Sequence, residues 1–143
     1  MRHLIASAAL IWSAVSAAAA EKTTVQISPE EAAQLVIAIW QLDGSTHVVK
    51  DDKGADKAVV IPYHFGAIRV VLAHDLRVAV DAVKDYQTAA KGIAPDEAQK
   101  LDDAKLPVDL VTIDASDLFL AENPISAKTL AALAPICPSC VAK

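Results

Sequence analysis

Phe65, Ile68, Leu72, Leu76, Ala79, Val83, Tyr86 and Ala90 follow one another at spacings of 3, 4, 4, 3, 4, 3 and 4. This rhythm matches the 3.6-residue turn of an α-helix with one apolar face. It predicts a long helix from Phe65 to Lys91, stopped by Gly92. His74, Arg77, Asp81, Lys84 and Asp85 fall on the opposite face, where His74 is expected to be solvated. Asp75 breaks the division, because it projects beside Leu72 and Leu76 at the edge of the apolar stripe. An unpaired charge in such a place is very costly, so Asp75 is expected to tie the helix to loop amides. A functional carboxylate is the alternative.

A second helix is announced by "SPEE". Ser28 can cap it, Pro29 suits its first turn, and Glu31 can complete a capping box. It is expected to run to about Leu42 and stop near Asp43 and Gly44. Glu30, Gln34 and Gln41 form a narrow polar stripe, while Leu35, Val36, Ile37, Ile39, Trp40 and Leu42 cover most of the remainder. A helix this apolar is either buried on nearly all sides or presents a face to a partner. Ile37 and Trp40 are the candidate partner-binding residues.

"THVVKDDKGADKAVVIPY" reads as a hairpin, with Val48–Val49 and Val59–Val60–Ile61 flanking a charged turn that ends in Gly54. Strands this short are marginal alone and are expected to pack on a helix. Further strands are expected at Thr23–Ile27 and Val108–Ile113. "APDEAQKLDDAK" is a charged, weakly helical connector, Asp114 and Ser116 can cap a turn, and Ser126 opens a short last helix ended by Pro135. Together these predict one α+β domain over 21–143. Two main helices pack on a small, mostly antiparallel sheet, with a short C-terminal helix.

The amino terminus carries the features of a secretory signal at 1–20: Arg2 and His3, an apolar run from Leu4 to Val15, and Ala18–Ala20 before Glu21. The run is shorter than the roughly 20 residues a membrane-spanning helix needs. The expectation is export to the periplasm or the extracellular space, with no membrane attachment after cleavage. Of the 143 residues, roughly 120 then remain, enough for one domain. Acidic residues outnumber Lys and Arg by 18 to 13. An acidic chain without a basic cluster is a poor nucleic-acid binder, since affinity there comes mainly from neutralised phosphates.

The chain ends "PICPSCVAK". A catalytic CxxC places its first cysteine at a helix N-terminus, where the dipole and free amides lower the thiol pKa. Too little chain follows Cys140 to build such a helix behind Cys137. In an oxidising compartment Cys137 and Cys140 are expected to pair as a structural staple; a thiol-disulfide redox protein using them is the runner-up. A zinc site would need His47, His64 or His74 to join the two cysteines, and no spacing suggests it. No nucleophile motif, phosphate loop or carboxylate pair can be named, so neither catalytic residues nor a cofactor or metal are expected.

Thr24, Val25 and Gln26, then Tyr63 with Ala73–Arg77, then Val108, Asp109, Leu110, Ile113, Ser116, Asp117 and Leu118 form a pattern spread over most of 23–136. In this pattern the chain resembles a group of small uncharacterised proteins encoded in tailed phages and prophages. The resemblance implies an assembly, accessory or host-interaction protein and carries no catalytic residues. The leader and the CPSC tail depart from the group and fit a protein of the cell envelope. The expectation is therefore an exported, non-enzymatic protein whose partner is another protein.

Overall fold

The computed structural model describes residues 21–141. The expected leader, 1–20, lies outside the described residues, as do 142–143.

Strand β1 (Lys22–Ile27) leads into helix α1 (Pro29–Gln41). The capping box forms: the Glu31 amide donates to Ser28 Oγ at 3.1 Å, and the Ser28 amide to Glu31 Oε2 at 2.6 Å. Strands β2 (Gly44–Lys50) and β3 (Asp56–Pro62) follow, then α2 (Ile68–Ala90), α3 (Pro95–Asp102) and β4 (Leu106–Val111). A 3-10 turn at Ala115–Leu118, helix α4 (Ala127–Ala132) and a 3-10 turn at Pro138–Cys140 complete the described chain.

The architecture is α+β, but its strands form two separate antiparallel ladders, β1–β4 and β2–β3, where one small sheet is expected. Side-chain alternation explains the split. In β1–β4 the Val25–Val108 and Ile27–Leu106 pairs share one face, and Val108 and Leu110 are buried with the helices. In β2–β3 the apolar residues fall on both faces: Val48 and Val60 on one, Val49, Val59 and Ile61 on the other. A ribbon of that kind has no single face to lay on a core.

The core joins Leu35, Ile39 and Leu42 of α1 to Leu72, Ala79 and Ala82 of α2, with Leu118, Leu133 and Ile136 closing the C-terminal side. Helix α2 starts three residues later than its periodicity predicts. Asn123 holds the His64 backbone by accepting from its amide at 2.8 Å and donating to its carbonyl at 2.9 Å, so the chain is committed before the helix can begin. The buried line along α2 is Leu72, Asp75, Ala79 and Ala82. Asp75 therefore stands in the middle of that line and not at its edge.

Strand β4 ends at Val111, two residues before the expected Ile113. The Ile113 amide donates instead to the Ile136 carbonyl at 2.8 Å. The carboxy-terminal turn docks beside it: the Ala115 amide donates to Ser139 Oγ at 2.9 Å, and that hydroxyl donates to Asp114 Oδ2 at 3.2 Å.

Candidate functional site

The β2–β3 ribbon is built around Asp51. Its amide donates to the Ala55 carbonyl and its carbonyl accepts from Gly54, both at 2.9 Å. Its Oδ1 accepts from the Lys53 and Ala55 amides. Gly54 takes φ +78°, so the loop is a type I turn closed by a glycine bulge. At the base, a Cβ on Gly44 would collide with the Ile61 carbonyl oxygen, so the strands meet there only around glycine.

This ribbon projects from the domain with its apolar residues in solvent. Among the described residues, eleven large apolar side chains stand exposed, and seven of them lie between Ile37 and Ile61. Val48 is 69% exposed and Val60 56%. Just upstream, Ile37 interrupts the polar stripe of α1 formed by Glu30, Gln34 and Gln41, and it is 45% exposed; Trp40 beside it is 57% exposed. Of the two options the sequence leaves for α1, each holds for part of it. Leu35, Val36, Ala38 and Ile39 are buried, while Ile37 and Trp40 are presented outward.

Asp75 is fully buried. Its Oδ1 accepts from the Val111 amide at 2.8 Å and lies 3.1 Å from His74 Nδ1. The donor is thus an amide at the end of β4, where a loop amide is expected. His74 is not on a fully solvated face either: it is half-buried against that carboxylate. Oδ2 has no partner. Desolvation raises the Asp75 pKa above the ordinary carboxylate value, against the opposing pull of the Val111 amide and of His74.

Cys137 and Cys140 are joined in a disulfide. Cys137, the sulfur that a CxxC catalyst exposes, is fully buried in the core, and Cys140 packs partly against it. Behind Cys137 stands only the three-residue turn Pro138–Cys140. Among the described residues, no three His, Cys, Asp or Glu side chains converge as metal ligands, and no helix is long and apolar enough to cross a membrane.

One residue that sequence reasoning missed is Asn123. It is almost fully buried, and besides its pair with His64 it donates to the Leu118 carbonyl at 2.9 Å. The neighbouring Pro124 carbonyl accepts from the Tyr63 hydroxyl at 3.0 Å. Only the "NP" dipeptide hints at a turn there, and nothing local announces a contact with residue 64.

Comparison with protein-family models, with curated proteins and with solved structures found no match.

Proposed function

We propose that this chain is an exported, non-enzymatic protein that works by holding another protein, in the manner of the phage-type accessory proteins its sequence resembles. The observation that carries the proposal is the clustering of exposed apolar side chains on the ribbon and on the adjoining edge of α1. Monomeric proteins seldom expose contiguous apolar patches beyond a few hundred Å² without using them. A two-stranded ribbon is also marginal in water by itself, so cover from a partner would stabilise it. The amino-terminal leader supports export, and a disulfide is at home in an oxidising compartment.

The test is to replace Ile37 or Trp40 by glutamate and compare partner retention with thermal stability. Both side chains are largely outside the core, so retention is expected to fall at least tenfold with an unchanged melting temperature. Unchanged retention, or outright unfolding, contradicts the proposal.

A further inference from the structure

The two ladders differ in how their edges are finished. In β1–β4, the Thr112 amide points at the Glu21 carbonyl, which fixes the alternation of the ladder. Thr23, Val25 and Ile27 exchange bonds with β4, whereas the amides of Thr24 and Gln26 point away from it. The outer edge of β4 is closed: the Val111 amide is taken by Asp75, and Pro107 has no amide to offer. The outer edge of β1 is open. Beside it runs a groove of about 450 Å³ lined by Val25, Gln26 and Ile27, by the Glu30 side of α1, and by Ala131 and Pro135. No β4 residue lines it, so the groove lies on the free side of β1.

An open strand edge beside an apolar groove is shaped for one more extended strand. The ribbon of the same chain supplies such a strand. The Asp51–Ala55 bond sets its alternation, so the amides of Thr46, Val48 and Lys50 on β2 point outward. On β3 the outward row is broken by Pro62. Charge selects the direction of approach. Glu31 is neutralised by Lys105 at 2.9 Å, whereas Glu30, at the end of β1, has no cation within 4.0 Å among the described residues. A parallel approach brings Lys50 to Glu30; an antiparallel one brings it onto Lys22.

We infer that β2 of one copy adds in parallel to the open β1 edge of a second copy, head to tail. The inference rests on the ribbon being an interaction element, as proposed above, and names its partner. Each copy carries one ribbon and one open edge, so the contact does not close on itself after two copies and builds a chain or a ring. A single added strand buries less than the roughly 800 Å² per partner of a standard interface. Association therefore belongs on the order of micromolar concentrations and above.

The test is sedimentation or light scattering of residues 21–143 over a concentration series. The weight-average mass is expected to climb past that of a dimer. Gln26→Pro removes an outward amide from β1 and Val48→Pro one from β2, and neither amide serves the internal ladders. Each variant alone is expected to remain monomeric, and an equimolar mixture to form a one-to-one dimer and nothing larger. If Gln26→Pro unfolds, Ala131→Arg, which fills the groove, takes its place with the same expectation. A wild-type mass that never rises, a closed dimer indifferent to these changes, or a mixture that stays monomeric overturns the inference. If the chain stays monomeric while Trp40→Glu still loses a foreign partner, this inference fails and the interaction role stands.

Discussion

Asp75 of α2 and Val111 of β4 are joined side chain to strand edge: the Val111 amide donates to a carboxylate oxygen at 2.8 Å, in the place where a further strand would pair. Asp75→Ala leaves that amide without its acceptor, in a position sealed from water. A buried donor left unsatisfied costs about 1–3 kcal/mol. The unfolding free energy of Asp75→Ala is expected to drop by that amount in urea titrations. Asp75→Asn keeps the acceptor oxygen and is expected to lose less. Equal losses in the two variants would mean that the amide contact is not what Asp75 provides.

Burial also gives Asp75 a distinctive pH signature. Its folded pKa lies above the unfolded value of about 3.9 because desolvation penalises the carboxylate. The folded state therefore holds this proton more tightly than the unfolded chain does. Stability from Asp75 falls as pH rises from the ordinary aspartate value to its raised one, and is level above that. Glu31, lowered first by the Ser28 amide and then by Lys105, behaves oppositely, and so does Asp114, lowered by the Ser116 amide. Their contributions are present above the ordinary values and are lost as pH falls through the lowered ones. Denaturation midpoints against pH are expected to lose the upper-window slope in Asp75→Asn and keep the lower-window one. Parallel curves for wild type and variant would contradict this assignment.

The disulfide is expected to behave as a staple. Closing so short a loop stabilises by about 2 kcal/mol at most in the entropy model. Reduction should therefore lower the melting temperature modestly without unfolding the chain. After native reduction, alkylation should reach the partly exposed Cys140 before the buried Cys137. Turnover of insulin disulfides, abolished by Cys137→Ser, would instead establish the redox role.

Asn123 uses one acceptor and two donor bonds to hold the chain segment before α2. Asn123→Ala leaves the His64 amide and two carbonyls short of partners, at a cost of about 2–4 kcal/mol summed over the groups. Chemical denaturation measures it, and a loss below about 1 kcal/mol would show that water replaces the side chain.

How much of this was readable beforehand follows from the range of each interaction. The capping box of α1 and the Asp51–Gly54 turn are settled within five residues, so the local sequence announces both. The position of Asp75 in the buried line was misjudged because its donor, the Val111 amide, lies 36 residues away. The β1–β4 ladder pairs Thr24 with Asp109, 85 residues apart, so spacing could not reveal that the strands divide into two ladders. Ile37 and Trp40 were legible as apolar residues on a helix. That they face outward depends on α1 burying its other side against α2 and α4, which only the assembled fold decides.

The most direct test of the interaction role is site-specific photocrosslinking in the exporting cell, with the probe placed at Trp40, at Val48 and, as a control, at Val70, which is 77% exposed on α2 away from the ribbon. Discrete protein adducts are predicted from positions 40 and 48 and none from position 70. Adducts of equal strength from all three, or from position 70 alone, would contradict the account.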